Sequence, residues 1–309
     1  QISRRNRCAM ASENTHIYLA DRIRAKINVD VLKRLISGHL DYYFIGSIFP
    51  DILFFSKDKQ IVDVAHNLHG EDGLPTNRIV FDLLDRIKAG KDDANFSFVS
   101  GFLTHYAADI TLHPMVFYFS GYKANGSKQE NDRSAYLHWH YETSIDRQVN
   151  DRFYLDKIIN PETIKGLVIP QILGIDPSII GDALKRQMKY YSLTRSRLYF
   201  VIFQVLCKMG FFPARMVAGF HENLKTDKTR LPDPLQYKDI ITGESLETTL
   251  NDLIEKAIQF GCRMIETAYA FYIGRINNDE CQKVITGQSL ETGRVGKRTT
   301  DIRFSAGLT

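Results

Sequence analysis

Between Gly101 and Pro114 the chain sets His105, Asp109 and His113 four residues apart, in a run otherwise small or apolar (Tyr106, Ala107, Ala108, Ile110, Leu112). At about 100° per residue these three drift only about 80° around a helix axis, so they form one stripe about 12 Å long. A helix so apolar is expected to be buried, and three polar side chains on a buried face need partners. A histidine and a carboxylate one turn apart can grip one divalent metal, and a central Asp has two oxygens with which to bridge two metals. The other reading, core residues hydrogen-bonded to one another, stays open at this point.

The rest of the chain is consistent with a helical protein. Apolar positions recur at helical spacing over residues 15–38, closed by Gly38. Residues 41–55 predict a short helix turning into a loop at Phe49-Pro50-Asp51, and 77–89 a helix capped by Asn77. Residues 96–113 predict a helix stopped at Pro114, because proline disfavours a helical residue before it. A polar loop is expected over 118–133, then helices over 134–149, 161–173, 181–209, 213–225 and 246–273. Strand alternation is scarce, and the basic tail from Gly287 is expected to be loosely ordered. A short similarity links Ile241-Thr-Gly-Glu-Ser-Leu-Glu-Thr248 to Ile285-Thr-Gly-Gln-Ser-Leu-Glu-Thr292, too short to define a repeat architecture. The fold class expected is all-α, with one helical domain over 12–275. A disordered or non-native extension (1–11) precedes it and a polar basic tail (276–309) follows.

Composition narrows the function classes. With 44% hydrophobic and 25% charged residues, a sizeable core is within reach, and a net charge of +4 on 309 residues argues neither for nucleic acid nor for an anionic membrane. Four cysteines (Cys8, Cys207, Cys262, Cys281) are too dispersed for a zinc ribbon or a disulfide framework. No secretory hydrophobic region is visible, which points to the cytoplasm, and the longest apolar stretch, Leu198 to Phe220, is interrupted by Gln204, Lys208 and Arg215 and broken at Pro213, a poor membrane span. A core helix is the expectation for that stretch, with peripheral contact to lipid as the alternative.

Eight of the nine histidines precede residue 141, so metal chemistry is expected in the N-terminal half. His138 and Glu142 repeat the i, i+4 spacing for a shared metal, and Asp146 extends their stripe. His140 points elsewhere and is a candidate for a supporting or surface role. Asp51 ends an apolar segment after Pro50; in isolation it could equally open a turn. His66 and His69, three apart before an acidic turn, are both ligand candidates, with His69 preferred, and His16 follows Thr15 at the start of the first helix.

Taken in order, Thr15-His16, the G-x-x-x-P-D segment from Gly46 to Asp51, His69, His105 with Asp109, His113, and His138 with Glu142 resemble the zinc-dependent phospholipase C family. The resemblance implies an all-helical fold shared with single-strand-specific secreted nucleases, a cleft for up to three zinc ions in the N-terminal half, and hydrolysis of phosphodiester bonds by metal-activated water. By matching position, it gives His69, His105 and Asp109 to a first zinc and His113, His138 and Glu142 to a second. His16 and the bridging Asp109 fall to a third, and Asp51 to orienting or deprotonating the water. Two ions are expected; the third is left open, since the secreted relatives complete it with an N-terminal tryptophan and the one tryptophan here is Trp139. The implied substrate is a phospholipid or another phosphodiester. A nuclease or other phosphodiesterase of the same superfamily, and a non-catalytic metal-binding protein, are the competing readings. Nucleic acid is the less expected partner, for Tyr42, Tyr43, Phe44 and Tyr106 could stack bases but could as easily be core.

Overall fold

The longest helix among the described residues, Asp93–Ser120, is buried on almost every side, and several other helices pack around it. The computed structural model describes residues 13–123, 126–149, 155–194, 196–211 and 231–306. Its elements in order are α1 (Glu13–Lys26), α2 (Asp30–Gly38), α3 (Leu40–Ile52), α4 (Lys59–Leu68), α5 (Arg78–Lys88), α6 (Asp93–Ser120), α7 (Lys128–Val149), α8 (Leu155–Ile158), α9 (Ile169–Leu173), α10 (Pro177–Thr194) and α11 (Arg197–Lys208). An antiparallel pair β1 (Leu235–Lys238) and β2 (Ser245–Thr248) follows, in register Leu235 to Thr248, then α12 (Leu250–Tyr272) and α13 (Asn278–Gln282). Among the described residues the fold is all-α apart from this hairpin. No helix among the described residues is long and apolar enough to cross a membrane. The expected extension (1–11), the expected helix 213–225, Cys8 and His221 lie outside the described residues.

Helix α6 starts where the Asp92 carboxylate accepts the Asn95 N–H and ends at Gly121, whose φ of 71° suits a glycine. It packs against α3, α12, α7, α1, α2 and α5, which is why it carries no polar stripe beyond the His/Asp one. It does not stop at Pro114, as the sequence predicts, but runs on to Ser120. An internal proline costs about 3 kcal/mol. Met115, Val116 and Phe117 beyond it are buried, at about 1.5–3 kcal/mol each, and that burial wins. Proline has no N–H for the Ile110 carbonyl four residues back, and the chain at Gly293 approaches this carbonyl so closely that a Cβ there would lie 2.8 Å from its oxygen.

Helix α3 likewise continues through Pro50 and Asp51, where a loop was expected. Gly46 lets it cross α6: a Cβ on Gly46 would sit 2.2 Å from the Phe98 carbonyl oxygen, and one on Gly101 1.9 Å from that of Tyr43. The two glycines interlock the backbones and bring the Ser47 carbonyl within 3.0 Å of His105 Nδ1.

Other boundaries also shift. The predicted helix 15–38 is two helices, with the extended residue Val29 between them. Asn77 does not cap α5 with its side chain but donates to the Ile285 carbonyl. Helix α7 begins at Lys128, six residues ahead of expectation, and residues 161–173 form a 3-10 turn (Pro161–Gly166) and the short α9. A cap at Ser196 divides the predicted 181–209 into α10 and α11. The core reading of α11 is overturned: none of its residues is buried, and Leu198, Tyr199, Val201, Ile202 and Val205 are exposed. The tail from Gly287 is not loose either: Ser289, Leu290, Glu291 and Thr292 are buried, and the Leu290 N–H donates to the His69 carbonyl.

Candidate metal centre

Five elements deliver side chains to one buried point. Helix α1 brings His16, α3 brings Asp51, the residue after α4 is His69, α6 brings His105, Asp109 and His113, and α7 brings His138 and Glu142. All eight are buried, with His138 the most exposed at 8%. Asp109 sits at the middle. Its Oδ1 is 3.4 Å from His16 Nε2 and 3.6 Å from His113 Nε2, while its Oδ2 is 3.0 Å from His105 Nε2 and 3.8 Å from His69 Nε2. Asp51 Oδ1 is 3.2 Å from His69 Nε2, and its Oδ2 is 3.7 Å from His16 Nε2. Glu142 Oε1 is 3.1 Å from His138 Nε2 and 3.2 Å from His113 Nε2. Three sets can each gather around an ion: Asp51, His69 and His105; His16, His105 and Asp109; His113, His138 and Glu142.

The chemistry of the donors fits zinc. His69 Nδ1 lies 2.8 Å from the Ala65 carbonyl, His105 Nδ1 3.0 Å from that of Ser47, and His113 Nδ1 3.0 Å from that of Leu290. A carbonyl only accepts, so each Nδ1 carries the hydrogen and Nε2 is left as the basic nitrogen, the arrangement usual for metal-ligating histidine. Basic nitrogens facing carboxylates repel unless a cation lies between them. Asp51 Oδ1 and Oδ2, His69 Nε2, His105 Nε2, Asp109 Oδ2 and Glu142 Oε2 are all buried with no hydrogen-bond partner among the described residues. Four ligands about 2.0–2.1 Å from a tetrahedral zinc lie about 3.4 Å from one another. The contacts of 3.0–3.8 Å among these donors bracket that edge.

The electrostatics follow from burial and from the histidines and carboxylates facing one another. Burial opposes charge on Asp109, yet His105, His113 and His16 around it hold its carboxyl well below the usual range. Burial likewise opposes charge on Asp51 and Glu142, and the neighbouring histidines keep both low. Burial and the stacked His105 ring, 4.1 Å away, push His16 down to about 4. Burial opposes charge on His69 too, but Asp51 outweighs it and raises the group to about 9.

The remaining candidates lie apart. His66 pairs with Glu71 outside the cluster, so His69 and not His66 enters it. His140 stands between Tyr136 and Tyr141 and joins none of the three sets. Asp146 accepts both the Thr15 N–H (2.6 Å) and the Thr15 hydroxyl (2.7 Å), anchoring the turn that carries His16. Tyr43 and Tyr106 are core: their hydroxyls donate to the Ala20 and Thr76 carbonyls.

Two buried acids went unread in the sequence. Glu13 lies one turn before His16 and accepts from Gln187 Nε2 at 2.6 Å; burial, then Asp51, raises its carboxyl well above the usual range. Glu291, from the second copy of the ITGxSLET segment, is also buried and raised by burial, with His113, His69 and His138 opposing. Nothing local to either residue marks it.

No curated protein and no solved structure matches the chain. The family profile described as zinc dependent phospholipase C matches residues 15–175, more than half of the 309 residues. The matched segment begins at Thr15 and contains every member of the three donor sets, all directed at one buried point. The chain belongs to the zinc-dependent phospholipase C family.

Proposed function

We propose that this protein hydrolyses the phosphodiester bond of a phospholipid, releasing diacylglycerol and a phosphorylated head group. The observation that carries the reading is the convergence of three histidine–carboxylate sets that meet at Asp109.

His105 belongs to two of the sets but has one free nitrogen, Nε2, because Nδ1 is committed to Ser47. One ion is therefore assigned to His69 and His105 with Asp109 Oδ2, beside Asp51, and a second to His113, His138 and Glu142. His16 and Asp109 Oδ1 are what remains for a third, which needs more ligands than these. Zinc in such sites lowers the pKa of bound water and neutralises phosphate oxygens.

The chain's own residues orient that chemistry. The Ala65, Ser47 and Leu290 carbonyls fix the tautomers of His69, His105 and His113. Asp51, held as a carboxylate by the histidines around it, accepts the proton of the attacking water. A second reading of Asp51 as a ligand is favoured by its grouping with His69 and His105. Zinc content after substitution separates the two.

A lipid substrate is supported by α11, whose apolar side chains face outward between Arg197 and Lys208. A nucleic-acid substrate loses its sequence support, since Tyr43 and Tyr106 are core and Tyr42 and Phe44 pack against it. Metal analysis, paired with hydrolysis of phosphatidylcholine vesicles, a chromogenic phosphodiester and single-stranded DNA, tests the reading. The expected result is two zinc ions per chain and diacylglycerol release. A protein that holds no zinc sinks it, and zinc with no turnover of any of the three substrates leaves a binding protein.

A further inference from the structure

Residues 285–293 lie beyond the segment matched to the family, yet they close over the metal centre. The Leu290 N–H donates to the His69 carbonyl at 2.9 Å, and the Leu290 carbonyl accepts His113 Nδ1–H at 3.0 Å. One peptide segment thus touches a histidine from each of the two proposed ion sites. The segment is fixed from outside as well. Thr76 Oγ1 donates to the Gln288 carbonyl at 2.7 Å, Asn77 Nδ2 to that of Ile285 at 2.6 Å, and Gly293 packs on the Ile110 carbonyl beside Pro114.

The next side chain after Leu290 is Glu291, 97% buried, with Oε1 lacking any hydrogen-bond partner among the described residues. No lysine or arginine among those residues pairs with it. Burial and the nearby Glu71 oppose its charge, and the cationisable groups within electrostatic reach are His113, His69 and His138. With Nδ1 of His69 and His113 committed to carbonyls and Nε2 turned to the ion sites, those two rings are neutral when zinc is bound. A buried carboxylate left without a cation is strongly unfavourable, and the cation on offer here is the one the histidines hold.

We propose that Glu291 is a further carboxylate of the metal centre, a positioning residue that acts on the bound zinc from outside the three donor sets. It falls in none of those sets, so it does not serve as a direct ligand. Its charge would offset that of zinc held by His69 and His113, and its unpartnered Oε1 is free to hold a polar group of that site. Carboxylates one step behind a metal ligand set commonly change affinity by about 10–100-fold. The inference rests on the zinc reading of the site.

The test is zinc retention by the full chain in a graded chelator competition, for wild type, E291Q and E291D, with helical content followed by circular dichroism. E291Q keeps the shape and removes the charge, so it should surrender zinc about 10–100-fold more readily, and E291D should recover most of the loss. Retention by E291Q within twofold of wild type overturns the proposal. So does impairment of E291D alone, which would make the side chain a space-filler. A wild-type chain that holds no zinc would instead overturn the reading of the whole centre.

Discussion

Replacing Gly101 by alanine tests the placement of the centre without touching a ligand. The new Cβ would lie 1.9 Å from the Tyr43 carbonyl oxygen, and real Cβ contacts do not fall below 3.0 Å, so α3 and α6 must part by at least 1.1 Å. The obstacle is backbone and cannot rotate away. Overpacking of this kind costs about 1–3 kcal/mol, and the upper end applies here; alanine returns about 1 kcal/mol of helix propensity. A net loss of about 2 kcal/mol lowers the melting temperature of a chain this long by about 3 °C. The functional cost is larger, because α3 carries both the Ser47 carbonyl that fixes His105 and the Asp51 carboxylate 3.2 Å from His69. A displacement of about 1 Å at reacting groups costs roughly 100-fold in rate. Thermal unfolding followed by circular dichroism, zinc content and vesicle hydrolysis read the three consequences. Gly38→Ala is the control, since nothing lies within 4 Å of its Cβ. If Gly101→Ala melts and turns over like wild type, the interlocked crossing does not position the site.

Asp51→Asn is expected to reduce turnover at least about 100-fold with zinc content unchanged; a lost zinc equivalent would make Asp51 a ligand. Replacing Leu198, Val201 and Val205 on α11 together by serine should weaken binding to phosphatidylcholine vesicles in a sedimentation assay by roughly 100-fold, at about 1 kcal/mol for each half-exposed side chain. Hydrolysis of a water-soluble phosphodiester should not change, and unchanged vesicle binding would remove α11 from the membrane contact. Glu13 has its folded-state pKa raised by burial and by Asp51, so its contribution to stability is full below its unfolded pKa and is lost as pH rises through the raised value. Glu13→Gln should therefore flatten the alkaline fall in melting temperature and make the variant the more stable form at pH 8; a melting profile parallel to wild type across pH 5–9 would contradict the raised carboxyl.

What the sequence made legible was whatever a single helix geometry decides. The stripe of His105, Asp109 and His113 and the pair His138 and Glu142 are set by i, i+4 spacing alone, and the structure has them facing one another. The choice of His69 needed only the turn that follows it. Pro50 and Pro114 do not end their helices, because burial of the residues beyond each proline outweighs the local preference. Glu13 and Glu291 were invisible for a different reason. Their burial depends on Gln187 and on the loop around Leu290, partners far away in sequence, and a lone glutamate in a polar stretch carries no local sign of that environment.

The same contrast explains why the polar tail packs tightly. A proline inside α6 leaves the Ile110 carbonyl without its helical donor, and a glycine at 293 lets backbone come close to it. His113, one residue before that proline, needs an acceptor for Nδ1–H, and Leu290 supplies it from the same loop. The His69 carbonyl, just past the end of α4, needs a donor, and Leu290 supplies that too. The His113 Nδ1–H and the His69 carbonyl both lie beside helix irregularities, and Leu290 answers the two together. These hydrogen bonds and the buried Ile285 and Leu290 side chains together order the tail against His69 and His113.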